Sequence, residues 1–390
     1  MIERAVITVL GKDKKGLISG ITNFISKSNV NITDIKQSVV QGLFTMFMTV
    51  DLSGAILSYE EIKKGLEQLQ SKLNVEIEVS SFAEYDGVTE SAHRNPYVLI
   101  VLGKDRHGIV SDISTILSSM GVNIESTNLT ARGDLISVKF MIDIEDKNPK
   151  TLREAVKKAS ERVGLDAVIM SYDNFRKEKR LIVFDMDSTI TDDEVIDNLA
   201  VAAGVENEVK EITRKAMAGD MDFTKALRTR VMLLTGIPIE VLEDIAGNLT
   251  LTPGTEELLS TLKSLGYKTA LISGGFTFFT DHLKEHLNFD YAFANELEIK
   301  NGVLTGRLEG EIIDAEGKGR IIEELAKREN ISTDHIVAVG DGANDQIMIK
   351  NAGLGIAFNA KDLLKKMSDG TLSKSNIAGL LNILGSDEER

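Results

Sequence analysis

Apolar positions fall into two patterns along the chain, and the first is a repeat. Val9-Leu10-Gly11-Lys12-Asp13-Lys14-Lys15-Gly16-Leu17-Ile18 returns as Val101-Leu102-Gly103-Lys104-Asp105-Arg106-His107-Gly108-Ile109-Val110. Val30-Asn31-Ile32 returns as Val122-Asn123-Ile124, so the offset is 92 in both places (101 − 9 and 122 − 30). Each copy opens with an apolar strand, turns at Gly-Lys-Asp, and enters a helical pattern marked by Ile18, Ile21 and Ile25 or by Ile113, Ile116 and Leu117. Alternating runs follow at Leu43–Met48 and Ile136–Met141, the period of a half-buried strand, and then a second helix and a last strand. The predicted order is βαββαβ, twice.

From residue 180 the pattern changes to short, continuously apolar runs separated by helices. Arg180–Phe184, Lys268–Ile272 and Ile336–Gly340 read as buried strands of an α/β parallel sheet. Asp192 to about Leu249 shows helical periodicity and no convincing strand, which predicts an all-helical insertion, a cap over roughly 192–250. Ser81–Pro96 and Ser171–Arg180 are polar and read as linkers. The expected domains are therefore 1–88, 89–175 and 176–390.

Composition narrows the classes. Of 390 residues, 42% are hydrophobic and 27% charged, as in soluble globular proteins. A net charge of −15 and a pI near 5.0 supply no basic face for nucleic acid or a membrane surface. With no cysteine there is no disulfide framework and no thiolate chemistry. No apolar stretch approaches the roughly 20 residues that span a bilayer, and Met1-Ile2-Glu3-Arg4 lacks the basic start of a leader, so a cytoplasmic protein is expected.

The candidate chemistry begins at Asp185-Met186-Asp187-Ser188-Thr189, just past a strand end, where open α/β sheets collect ligands. A carboxylate can take a phosphoryl group as an acyl phosphate and release it to water, splitting one hard displacement into two. Asp185 suits the nucleophile. Asp187 suits the group that protonates the leaving oxygen and then takes a proton from water. Ser273-Gly274-Gly275 follows the second strand with a hydroxyl and approachable amides for phosphate oxygens. Lys318, placed before a helix, offers a fixed ammonium to offset phosphoryl charge. Asp341 ends the third strand, and Asp185, Asp341 and the backbone carbonyl of Asp187 form an oxygen set for Mg2+, with Mn2+ as the alternative. Asn344 and Asp345 are read as orienting this shell or Lys318.

These four segments, in this order, resemble the haloacid dehalogenase superfamily over residues 180 to about 370. The resemblance implies a Rossmann-like parallel-sheet core with an α-helical cap. Ion-pumping ATPases share the aspartyl-phosphate logic but need membrane helices. Glu194, Ala216-Met217-Ala218-Gly219 and Phe223 through Arg230-Val231 narrow the likeness to the branch that hydrolyses O-phospho-L-serine, the last step of L-serine biosynthesis. It implies that Glu194 meets the substrate ammonium and Arg230 its carboxylate, that Met217 and Phe223 line the pocket, and that Ser273, Gly274, Lys318 and Asn344 hold the phosphate side.

The repeats resemble ACT domains, ferredoxin-like modules that bind amino acids, over nearly all of residues 1–175. Their Gly-x-x-x-x-Gly turns are not P-loops, because Leu17 and Ile109 stand where lysine and a hydroxyl would be needed. The resemblance implies effector contacts at Asp13, Gly16 and Asn31 or at Asp105, Gly108 and Asn123, with L-serine as the expected effector and a homodimer as the expected assembly. Two other readings stand beside this one: a related phosphatase or phosphomutase on another small phosphomonoester, and an amino-acid sensor with an inert catalytic domain. The His282-x-x-Glu285-His286 order of an inverted zinc peptidase is better explained as a solvated helix face.

Overall fold

The computed structural model describes residues 3–82, 95–132, 135–372 and 377–384, so most of the first polar stretch lies outside the described residues. The chain forms two compact units, residues 1–92 and 93–390. In the first, β1 (Arg4–Lys12), α1 (Leu17–Lys27), β2 (Asn31–Val40), β3 (Leu43–Asp51), α2 (Tyr59–Leu73) and β4 (Val75–Ser81) build an antiparallel sheet of order β2-β3-β1-β4. The βαββαβ expectation holds. Phe44, Met46 and Met48 turn inward along β3 as alternation requires. The helical face differs by one position: Leu17, Ile21 and Ile25 are buried, whereas Ile18 is 41% exposed. Gly16, at φ 94°, caps α1 from the left-handed region, so the helix starts at Leu17 and its inward stripe runs at i, i+4, i+8 from there.

The second unit opens with the same order: β5 (Pro96–Lys104), α3 (Ile109–Ser119), β6 (Asn123–Arg132), β7 (Leu135–Asp143), α4 (Pro149–Arg162) and β8 (Asp166–Ser171). The second stretch read as a linker is not one. Tyr172–Arg176 forms helix α5, Asn174 Nδ2 donates to Gly353 O at 2.5 Å, and the buried Lys179 ammonium donates to Asp334 O at 2.7 Å and Asn174 Oδ1 at 2.9 Å. Its charged residues tie the segment to the domain that follows.

That domain centres on β9 (Leu181–Phe184). Helices α6 (Val195–Ala203), α7 (Glu206–Met217), α8 (Phe223–Leu233) and α9 (Ile239–Gly247) form the helical insertion, entirely helical as its periodicity indicated. Then come α10 (Thr255–Ser264), β10 (Lys268–Phe276), α11 (Thr277–Leu287), the hairpin β11 (Tyr291–Lys300) and β12 (Val303–Glu309), α12 (Ala315–Arg328), β13 (Ile336–Gly340), α13 (Gln346–Asn351), β14 (Leu354–Phe358), α14 (Asp362–Met367), β15 (Gly370–Leu372) and α15 (Leu380–Leu384). Strands β11, β10, β9, β13, β14 and β15 run parallel, with β9 in the middle. Helices cover both faces, so the central strands are apolar throughout.

One feature of the sheet was not expected. β15 pairs with β8 through Gly370 and Val168, and the order becomes β12-β11-β10-β9-β13-β14-β15-β8-β5-β7-β6. The second repeat and the parallel core thus share one eleven-stranded sheet. Beside the seam, Lys157 of α4 donates to Lys365 O at 2.8 Å and Ser368 O at 2.5 Å, and Arg153 pairs with Asp369 at 2.9 Å. Among the described residues no helix is long and apolar enough to cross a membrane.

Candidate active site

The carboxyl ends of β9, β10 and β13 lie side by side, and each delivers one part of the site. Asp185 N donates to Val339 O at 2.9 Å, which carries the chain past the end of β9 beside β13. Ser188 then adopts φ 55°, rare for a residue with a side chain, and donates its hydroxyl to Glu194 Oε1 at 3.0 Å. The turn points Asp185 and Asp187 to different partners.

Asp185 Oδ1 accepts from Lys318 Nζ at 2.6 Å, and Lys318 donates equally closely to Asp345 Oδ1. All three are buried. Lys318 is the fourth residue of α12, inside the first turn rather than before the helix, and Asp314 caps that turn by accepting from Gly317 N at 2.8 Å. Gly340 makes room for the arrangement, because a Cβ there would come within 2.5 Å of Asp345 Oδ2. Burial opposes the lysine charge, but the two carboxylates outweigh it and raise its proton affinity.

Asp187 is held differently. Its Oδ1 accepts from Val195 N at 3.0 Å and its Oδ2 from Ser273 Oγ at 3.1 Å, which in turn accepts from Gly275 N at 2.7 Å. Burial raises its proton affinity, and these two hydrogen bonds oppose that rise. Burial and then the neighbouring Asp345 push Asp185 well above the usual carboxylate range.

Oxygens of Asp185, Asp341 and Asp345 lie within 4.8 Å of one another. Asp341 is pushed up to about 6 by burial and then by Asp345, so negative charge is in excess there even with Lys318 present. An all-oxygen, acidic cluster of this kind fits a hard divalent cation. Asp345 Oδ2 also accepts from Gly342 N at 3.0 Å and Oδ1 is taken by Lys318, which suits the orienting part read for it from sequence. The Asp187 side chain is engaged by Val195 and Ser273, and it is not among the three clustered carboxylates.

Of the expected substrate residues, Phe223 packs on the Ser273–Gly275 loop: its ring would be 3.4 Å from a Cβ on Gly274, and Asn344 Nδ2 4.0 Å from it. Arg230 Nη1 donates to Thr213 Oγ1 at 3.2 Å, while its buried Nε has no partner. Glu194 is open to solvent as a residue, yet its carboxyl lies among protein atoms and beside Asp187, which together push it up to about 7. Met217, the last residue of α7, is 65% exposed. His282 and His286 stack on an exposed face of α11. Asp13, Gly16, Asn31, Asp105, Gly108 and Asn123 are all exposed, and Asn123 lines an open groove of about 870 Å³ beside α3 with Ser114, Ser118, Gly121 and Ile124. Tyr291–Asn295 extends the family likeness in the sequence without a role for Asn295, whose carboxamide is buried against the Ser273–Gly275 loop.

The sequence and the fold have known counterparts. Residues 179–353 match the model of the haloacid dehalogenase-like hydrolases, and residues 3–80 and 97–161 each match an ACT domain. A phosphoserine phosphatase of Archaeoglobus fulgidus is 49% identical over 342 residues, 88% of this chain and 97% of that one. A haloacid dehalogenase family hydrolase of Salmonella enterica serovar Typhi superposes with a TM-score of 0.67 at 30% identity, over 75% of this chain and 99% of that one. The phospho-aspartyl intermediate analogue of a phosphoserine phosphatase superposes with a TM-score of 0.50 at 48% identity, over 53% of this chain and 99% of that one. The fold is that of a haloacid dehalogenase-like phosphatase. Within that class, the chain belongs to the phosphoserine phosphatase family whose hydrolase domain follows two ACT domains.

Proposed function

We propose that this chain hydrolyses O-phospho-L-serine to L-serine and phosphate, with a catalytic domain over 176–390, a cap over about 192–250 and two regulatory modules over 1–88 and 89–175. The observation that carries the reading is the unequal treatment of the two carboxylates. Asp185 is bound by a lysine and faces Asp341, whereas Asp187 is bound by a serine hydroxyl and a backbone amide. Asp185 attacks phosphorus and becomes the aspartyl phosphate. Asp187, raised by burial, donates its proton to the serine oxygen as that bond breaks, then takes one from the water that splits the acyl phosphate. Ser273, Gly274, Asn344 and Lys318 hold the phosphoryl oxygens. A Mg2+ held by Asp185, Asp341 and the Asp187 carbonyl would offset the charge of the phosphoryl group.

The serine portion is read by charge. Arg230 has a buried N–H without a partner, which suits a substrate carboxylate, and the raised Glu194 suits the ammonium, whose arrival favours its charged form. The phosphoserine phosphatase relative from Archaeoglobus fulgidus, alike over nearly its full length, supports this choice. L-serine then acts back on the modules, which pair across a homodimer of a cytoplasmic enzyme. Phosphate release from phosphoserine against other phosphomonoesters, with and without chelator and in Asp185→Asn, tests the proposal. Equal activity in the mutant would refute the nucleophile assignment.

A further inference from the structure

We infer that Asn295 is a positioning residue for the phosphate-binding loop, a role that rests on the phosphatase reading but not on the identity of the substrate. Strands β10 and β11 pair in register from Ala270↔Tyr291 to Ile272↔Phe293, and pairing resumes at Phe276↔Asn295. Ser273, Gly274 and Gly275 thus stand against Ala294 alone. The bulge frees the loop to face the site, but it also takes backbone carbonyls out of the ladder, and buried carbonyls need partners. Asn295, 1% exposed, supplies them: its Nδ2 donates to Gly274 O at 2.9 Å and to Gly275 O at 3.2 Å. Its Oδ1 accepts from Ile313 N at 2.7 Å, which also settles the orientation of the amide, since the reverse would set NH2 against N–H.

Planarity of the peptide carries this hold into the site. Gly274 C=O and Gly275 N–H belong to one trans peptide and point in opposite directions. Holding the carbonyl aims the N–H, which donates to Ser273 Oγ at 2.7 Å, and that hydroxyl donates onward to Asp187 Oδ2 at 3.1 Å. On its other side the same carboxamide holds Ile313, next to the Asp314 cap of the helix that carries Lys318. One side chain therefore sets the relative placement of the two elements that grip the phosphoryl group, Ser273–Gly275 and Lys318. Asparagine is needed because the position calls for donors toward the bulge and an acceptor toward Ile313. Aspartate supplies only the acceptor.

The test compares Asn295→Asp and Asn295→Ser in the full chain with Leu283→Ala, which opens a cavity in the hydrophobic core and removes no hydrogen bond. Hydrolysis of p-nitrophenyl phosphate and its competitive inhibition by inorganic phosphate are read alongside thermal midpoints. Asn295→Asp should lower kcat by about 10- to 100-fold, the scale of small misplacements in an active site. It should also weaken phosphate inhibition by about 10-fold, and Asn295→Ser, which keeps one donor, should fall between it and the parent. Leu283→Ala should lose thermal stability with phosphate inhibition unchanged. If the Asn295 variants lose stability like Leu283→Ala while kcat and phosphate inhibition stay within about twofold of the parent, the side chain is merely structural and the inference is wrong. Should Asn295→Asp not fold, the serine variant decides by the same criterion. A parent active on p-nitrophenyl phosphate but not on phosphoserine overturns the substrate assignment and leaves this comparison intact.

Discussion

The Lys318 ammonium and the Asp185 carboxylate meet at 2.6 Å, and both are closed off from solvent. Asp345 completes the arrangement from the other side at the same distance. One cation thus serves two anions that could not otherwise be buried together. Lys318→Met removes the charge and leaves both carboxylates uncompensated. We expect kcat to fall by about 10²- to 10³-fold and the metal-free chain to lose about 3–5 kcal/mol at neutral pH. Phosphate release and urea unfolding measure the two effects. A variant that keeps full activity would show that Lys318 has only a structural part.

Arg230 should govern selectivity more than turnover. Arg230→Ala should raise KM for phosphoserine by about 10- to 100-fold, since a hydrogen bond to a charged group is worth about 1.5–3 kcal/mol, and should leave phosphoethanolamine, which lacks the carboxylate, nearly unaffected. Steady-state kinetics on both substrates decide it. Equal losses would mean that Arg230 shapes the cap rather than reading the carboxylate.

The acidic cluster couples stability to pH and to cations. Asp341 rises from 3.8 to about 6 on folding through burial and then Asp345, so the folded chain holds its proton more tightly than the unfolded one. Its favourable contribution is full below about pH 4 and is lost as pH rises through about 6. In chelator, thermal midpoints of the parent minus those of Asp341→Asn should therefore decline across that window. Mg2+ should reverse the decline, because it binds the deprotonated carboxylate. A difference that grows with pH in chelator would contradict the assignment.

At the seam between the second repeat and the core, Lys157 is lowered from 10.5 to about 7, by burial and then by Arg153. Here the folded chain releases the proton first, so this residue adds stability as pH rises from about 7 toward 10.5, and the addition is absent below 7. Lys157→Met should flatten that part of the stability profile. It should also lower stability at neutral pH by about 1–3 kcal/mol, because backbone acceptors lose a buried donor. Denaturant titrations on both sides of neutrality would show it, and an unchanged slope would count against it.

Asp185, Asp187, Ser273, Lys318 and Asp341 were legible because each sits at a strand end or helix start, where local sequence dictates backbone shape and an apolar run marks the place. Both repeats were legible for the same reason. What escaped depended on pairing at a distance. Asn295 acts across a bulge whose existence is set by the match of two strands. Lys157 and the stretch 171–180 look like ordinary solvated charge until the fold brings Ser368 and Asp334 to them. Ile18 belongs to the helix that the periodicity marked, but the left-handed Gly16 starts that helix at Leu17 and leaves Ile18 outside the buried stripe.

The pairing of β8 with β15 gives the second repeat a task unrelated to any effector. Without it, β15 would be the outermost strand of the hydrolase sheet, three residues long, with open N–H and C=O groups of the kind that recruit foreign chains. In this chain the neighbouring module occupies that border, and its own far edge, β6, becomes the rim of the sheet on that side. Cutting the chain at the second polar stretch would therefore not simply release a smaller enzyme. It would leave an unguarded margin at which one molecule could adhere to the next.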